Sequence, residues 1–464
     1  MKLYNHIKLN AKKGCIILLL VFTPIYQSCD SYVDVEKPNS QLISAAVFED
    51  VATANAALGG LYAKMRNNGV LAGSNGMSLY TGLYADELDW YQTTTISNFY
   101  NNTLTPSEAG VASIWNNSYK QIYEANSIIE GVTNSVSLPE VNRIQLKGEA
   151  LFIRALIHFY LMNLYGDIPY IKTTDFEQNS HVGRMSISLV YDNVIADLNE
   201  AATLLPEVYV TAERVRPNQF AVKALLARVY LYKGDYAAAS NEASAVINSS
   251  LYVWETDLNK VFLKASTTTI WQFMPNATTM NTTEGTSYIF NAGPPSSIAL
   301  KSNFVNAFET DDQRKVKWIR SITNGSNTWY HAYKYKQQTT TASSVEYSVV
   351  LRLAEQYLIR AEARARQGEL TNAKSDLNLI RNTAGLANST AITETDIIMD
   401  IMNQRRFELF TEFGNRFFDL KRSGQIDAVL ALTKPGWNST DKLWPLPAVE
   451  LNVNPNLNPQ NPGY

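Results

Sequence analysis

The chain has 464 residues, 45% of them apolar and 18% charged, with a formal net charge of −3. That balance describes a globular protein with a large core and excludes a disordered or membrane-embedded one. It carries no basic run with interleaved aromatics, and its slightly acidic character argues against nucleic acid and anionic lipid as partners. Tyrosine is abundant, at 26 copies beside 17 Phe and 8 Trp. Composition by itself assigns these rings to a core. The alternative is that some face a ligand, because tyrosine joins a flat apolar face to a polar tip.

The first 28 residues form an export signal. Lys2, Lys8, Lys12 and Lys13 make a positive start without acids, and an apolar run from Cys15 to Phe22 follows. That run is too short to span a bilayer. The signal ends at Ser28-Cys29, as lipoprotein signals do, although Tyr26 stands where such boxes usually carry an aliphatic residue. Ordinary cleavage nearby would instead leave Cys29 as a free thiol. With Cys15 lost in the signal, Cys29 has no disulfide partner, and an unpaired exported cysteine calls for an explanation that lipidation supplies. Loss of four lysines with the signal takes the formal charge from −3 to about −7. Residues 29–40, polar and containing Pro38, read as a tether. Residues 41–464 then form one helical ligand-binding domain, attached to the membrane through the lipid alone.

Beyond the tether the pattern is mostly helical. In 45–66, Val47, Val51, Ala54, Leu58, Leu61 and Met65 share one face. The stretch 67–107 is polar, glycine-spotted, aromatic and only weakly periodic. Helical spacing resumes over 111–131 and 141–165, the latter stopped by Gly166 and Pro169. Further helices are predicted at 187–204, 217–232, 236–248, 350–367, 371–384 and 395–413. Between 250 and 345 the pattern dissolves into Thr, Asn, Ser, Gly and Pro, with β-like pieces such as TIWQF. So long an irregular segment is commonly functional. Two helix pairs share a turn, Gly234 with Tyr236 and Ala239, and Gly368 with Leu370 and Ala373. This is the tetratricopeptide turn, in which glycine permits the reversal and alanine lets the helices approach closely. The two copies are widely separated, so the pattern predicts helical hairpins interrupted by large insertions rather than a tandem array.

Several segments together resemble the SusD/RagB family: EALFIRALIHFYLMNLYGDIPYI (149–171), FAVKALLARVYLYKGDYAAASNEASAVINS (220–249), LRLAEQYLIRAEARARQG with DLNLIRNTAGL (351–386), QRRFELFTEFGNRFFDLKRSG (404–424) and LWPLPAVELNVNPNLNPQNPGY (443–464). The resemblance implies a mostly α, SusD-like fold, with tetratricopeptide-like hairpins, large irregular insertions and a few short strands. It also implies a lipid-anchored, surface-exposed position in the outer membrane, a SusC-like TonB-dependent transporter as partner, and a captured oligosaccharide or peptide as ligand.

Catalytic chemistry lacks its parts. His158 sits in an apolar helix, where a satisfied core residue is the expectation, and His181 and His331 stand alone. No HExxH, paired-cysteine, GxSxG or P-loop pattern occurs. Paired carboxylates could run glycoside hydrolysis, and three clusters supply them: Asp86, Glu87 and Asp89; Glu309, Asp311 and Asp312; Glu408 and Glu412. Capping and ion-pair roles explain such runs as well, and the arginines around Glu408 and Glu412 point to a structural network. A lipid-anchored glycosidase and a tetratricopeptide adaptor binding a protein partner are the competing readings. No cofactor is expected; the one alternative is a structural calcium at Asp311 and Asp312 or at Asp86 to Asp89. The ligand site is expected on the two irregular stretches, where rings have no helical face to serve: Trp90, Tyr91 and Tyr100 with Asp86 and Asp89 in the first, Tyr288, Trp329 and Tyr330 in the second. Trp271, in TIWQF, is assigned to a buried strand.

Overall fold

The computed structural model describes residues 46–73 and 75–464. The signal segment, Cys29 and the tether lie outside the described residues. The long helices pack in sequence order, each against the next. Ala109–Asn134 lies on Glu140–Tyr165, then come Ile187–Leu204, Gln219–Lys233 and Tyr236–Ile247. The series continues through Leu353–Arg366 and Leu370–Thr383 to Glu394–Glu408. Helix Glu140–Tyr165 is the keel. Nearly every residue from Leu146 onward is buried, which is why its sequence runs apolar on all sides rather than along one stripe. No helix among the described residues is long and apolar enough to cross a membrane.

Both tetratricopeptide turns form as the sequence predicts. Gly234 and Gly368 adopt φ values of +86° and +78°, a left-handed conformation open to glycine without a steric penalty. Ala239 and Ala373 are fully buried where the helices meet. The two hairpins, distant in sequence, stack directly: Ala227, Leu231, Ala239 and Ala243 of one pack with Ile359 and Ala363 of the other. Buried ion pairs staple the layers. Arg154 grips Asp197 with two bonds of 2.7 Å, and Arg228 grips Glu355 with two of 2.6 Å.

The stretch between the hairpins is less irregular than its composition suggests. Its ends are tied by an antiparallel pair, β2 (Thr269–Phe273) with β6 (Ser348–Arg352). Trp271 is fully buried there, as its strand assignment required. The predicted helix at 350–367 therefore starts only at Leu353, because Val350 to Arg352 are spent on sheet pairing. Within this excursion, β3 (Ile298–Leu300), β4 (Ile319–Asn324) and β5 (Asn327–Ala332) join β1 (Leu88–Trp90) from the first stretch. They form a four-stranded sheet ordered β1-β3-β5-β4. Trp90 pairs with Ile298, Leu300 with Tyr330, and Ile322 with Trp329. Trp90, Trp329 and Tyr330 are thus strand residues, not loop residues.

The predicted helix at 395–413 ends early, at Glu408. Arg352 Nη2 donates to the Glu408 carbonyl at 2.8 Å, and Lys334 Nζ donates to the carbonyls of Glu408 and Phe410 at 2.7 and 2.8 Å. Those cations take up backbone acceptors at the helix end and turn the chain away.

Candidate functional site

The two irregular stretches meet around one cleft of about 700 Å³. Asn75, Leu79, Trp90, Gln92 and Ile96 come from the first stretch, and Phe290, Asn291, Ser296, Ile298 and Gln338 are among those from the second. Trp90 and Ile298, paired across β1 and β3, both line the cleft. Phe290 adds a second ring, while Gln92, Asn291, Ser296 and Gln338 supply amides and a hydroxyl. The Trp90 indole nitrogen is buried with no hydrogen-bond partner among the described residues. An apolar surface with a few polar groups is the ordinary make-up of a ligand pocket.

Strand alternation sends the neighbours of Trp90 to the other side of β1. There Asp89 Oδ1 accepts from Tyr100 Oη at 3.0 Å and from Lys301 Nζ at 2.9 Å. The Asp89 side chain is 28% exposed, and its second oxygen keeps its acceptor capacity. Tyr100 is held from two sides, with Lys301 Nζ 4.8 Å and Lys434 Nζ 4.3 Å from its ring centre. Burial, and then the nearby Lys301 charge, push Lys434 down to about 7. The Tyr91 hydroxyl is pushed up by burial first, then by Asp89 and Tyr100, with nearby Trp329 opposing. Trp329 is pressed onto Gly293; a Cβ there would come within 2.3 Å of its ring. Residues 291–294 therefore touch both groups of rings: their polar edge lines the cleft, and Gly293 backs Trp329. Tyr91, Tyr100 and Trp329 with Asp89 and Lys301 make a polar aromatic shelf beside the cleft, while Tyr330 packs against the core.

Besides Tyr330, two more of the expected site residues lie elsewhere. Asp86 is buried, and its oxygens take Arg416 at 2.7 and 2.8 Å and Arg406 at 2.9 Å. Burial alone would push this carboxyl up, but the two guanidiniums hold it below its usual range. Tyr288 is 5% exposed and faces the charges of Glu284 and Glu87 in the interior. Neither reaches the cleft. Lys301, Gln92, Phe290 and Gln338 were not anticipated. Gln92 directly follows the Trp-Tyr pair, its one local signal; Lys301 directly follows β3, and Gln338 is held by donating to the Ile289 carbonyl at 2.7 Å, next to Phe290.

The remaining carboxylate clusters have structural duties. Glu408 and Glu412 accept from Arg352 at 2.6 and 2.8 Å, Glu309 is paired with Arg381, and Asp312 with Arg314. His158 is the satisfied core histidine expected. One ring nitrogen bonds the Arg154 carbonyl at 2.8 Å, the other accepts from Ile171 N–H at 3.2 Å, and burial pushes the ring down to about 3.

Stacked helical hairpins that present a sheet-backed aromatic cleft define a scaffold-type binding protein. Two family models cover most of the chain: one described as "Starch-binding associating with outer membrane" matches residues 31–231, and one described as "SusD family" matches 269–464. SusD-like protein P2 of Formosa agariphila is 28% identical over 92% of this chain and 96% of its own length. Among solved structures, a SusD superfamily protein from Bacteroides vulgatus superposes with a TM-score of 0.79 at 22% identity, covering 90% of this chain and all of that one. A laminarin-binding SusD-like protein superposes with a TM-score of 0.75 at 23% identity, over 89% of this chain and 99% of its own. The chain belongs to the SusD/RagB family.

Proposed function

We propose that the protein is a lipid-anchored, cell-surface glycan-capture protein. It holds an oligosaccharide in the Trp90 cleft and passes it, unhydrolysed, to a SusC-like TonB-dependent transporter. The observation that carries this reading is the cleft itself, in which one half-buried indole and one phenyl ring are ringed by amides and hydroxyls. Sugars offer an apolar ring face to stack and equatorial hydroxyls to bond, so rings plus amides match them. The family's starch-binding description and the laminarin-binding relative support a glycan over a peptide. Binding without turnover is supported by the ion pairs that engage Asp86, Glu309, Asp312, Glu408 and Glu412.

The test is calorimetry of the mature protein against laminarin, starch and peptides, with reducing ends assayed after prolonged incubation. A glycan should bind, and Trp90→Ala and Tyr91→Ala should each weaken it by about 1–3 kcal/mol. Binding confined to peptides, or release of reducing ends, would overturn the reading.

A further inference from the structure

The segments that build the Trp90 cleft share a property of sequence. Residues 67–85, 90–107, 285–300 and 337–345 contain no Asp, Glu, Lys, Arg or His, in a chain that is 18% charged. Folding brings these segments together, so among the described residues every side chain that lines the cleft is uncharged. Exposed protein surface is where charged side chains ordinarily stand, and a cleft of about 700 Å³ without one is a selected surface.

The charges that bound these segments are turned to protein partners. Asp89 and Lys301, next in sequence to Trp90 and Leu300, pair with each other at 2.9 Å on the far side of β1. Asp86 is gripped by Arg416 and Arg406. Glu284 is buried and accepts the Ser348 hydroxyl. Lys336 Nζ donates to the carbonyls of Lys317 and Tyr333, and Glu346 accepts the backbone N–H groups of Lys336 and Gln337 at 2.7 and 3.0 Å.

What remains in the cleft is neutral polarity, held in place. Asn291 Nδ2 donates to Gln338 Oε1 at 2.8 Å, Gln338 Nε2 to the Ile289 carbonyl at 2.7 Å, and Gln92 Nε2 to the Ser296 carbonyl at 3.0 Å. Those bonds orient Gln92 and Asn291, both exposed, and the hydroxyls of Ser287, Ser296 and Ser297 stand beside them. Amides and hydroxyls exchange hydrogen bonds with sugar hydroxyls, which both donate and accept. They do not compensate a full charge drawn out of water. A carboxylate or sulfate entering the cleft would lose hydration and gain no cation, and an ammonium would meet no carboxylate. The chain's net negative charge adds a long-range repulsion of polyanions.

We propose that the Trp90 cleft selects uncharged glycan, so that neutral chains bind while uronic-acid, sulfated and amine-bearing chains are excluded. The proposal rests on the glycan-capture reading and specifies its substrate class.

The mature protein is titrated calorimetrically at low and high salt with neutral laminarin, starch, xylan and galactomannan, with anionic alginate, polygalacturonate and heparin, and with chitosan. Laminarin and starch are also tested after oxidation of their primary hydroxyls to carboxylates, which adds charge and keeps the backbone. A neutral polymer should bind with an affinity that salt leaves unchanged. The charged polymers, and the oxidised forms relative to their parents, should bind at least about tenfold more weakly. Gln92→Lys sets a cation at the exposed edge of the cleft and should raise the affinity for the anionic polymers about tenfold at low salt, a gain that high salt removes. A charged polymer that binds as tightly as the best neutral one would overturn the selectivity and leave glycan capture standing. No gain in Gln92→Lys would show that the cleft does not set the exclusion, and would overturn the proposal too. Binding of no glycan at all would overturn glycan capture and this inference with it.

Discussion

Glu87 sits directly beneath the site, next to β1, with its carbonyl accepting from Lys301 N–H at 2.9 Å. Its side chain is 3% exposed, and one carboxylate oxygen has no partner. Burial, reinforced by the Asp86 charge, pushes the carboxyl from 4.5 up to about 7, against the pull of Arg416, Lys334 and the Thr411 backbone. The folded protein therefore holds this proton more tightly than the unfolded chain does. Glu87 contributes its full share of stability below pH 4.5 and loses it as the pH rises through about 7. At about 1.4 kcal/mol per pH unit, the displacement amounts to about 3 kcal/mol, an upper figure for a site next to other charges. Glu87→Gln keeps the shape and stays neutral at every pH. Urea denaturation of both proteins, followed by circular dichroism from pH 4.5 to 8, reports this group against the shared background of the other titrations. The variant should match the parent at the acid end and exceed it by about 2–3 kcal/mol at pH 8. A difference that stays constant across the range, or a variant weaker at pH 8, would refute the buried neutral carboxyl.

Two further outcomes follow from the structure and the sequence. Arg228→Met leaves Glu355 buried without its partner, so thermal unfolding should show a loss of about 3–5 kcal/mol, most of it recovered in the Arg228→Met/Glu355→Met double variant; a double variant as weak as the single one would contradict this. Cys29→Ala should release the protein from outer-membrane fractions, and continued co-sedimentation would rule out the thiol as the anchor point.

The helices, their order and both tetratricopeptide turns are legible in the sequence because they rest on local rules. A 3.6-residue apolar period, a left-handed glycine and an alanine at a close crossing are each read within a few residues. Helix Ile187–Leu204 falls where its spacing puts it. Two of the failures come from partners remote in sequence. Val350 to Arg352 become strand because of β2, and the helix ending at Glu408 stops because Lys334 and Arg352 claim its carbonyls. The β4–β5 hairpin carries a local mark, Gly325-Ser326 between its arms, but threonine- and asparagine-rich surroundings mask the strands.

The site divides in the same way. Composition and weak periodicity single out the two stretches that supply the cleft, and Trp90, Tyr91, Asp89, Tyr100 and Trp329 all stand at it or beside it. Which aromatic faces the cleft, and which carboxylate is consumed inside, is decided by strand alternation and by the positions of Arg406 and Arg416, more than 300 residues along the chain from Asp86. Asp86 and Asp89 look alike in sequence, three residues apart. One meets two partly buried guanidiniums and becomes a structural ion pair; the other meets Lys301 and stays partly exposed. A carboxylate's role depends on the charges and the solvent around it, and those are set only when distant segments pack.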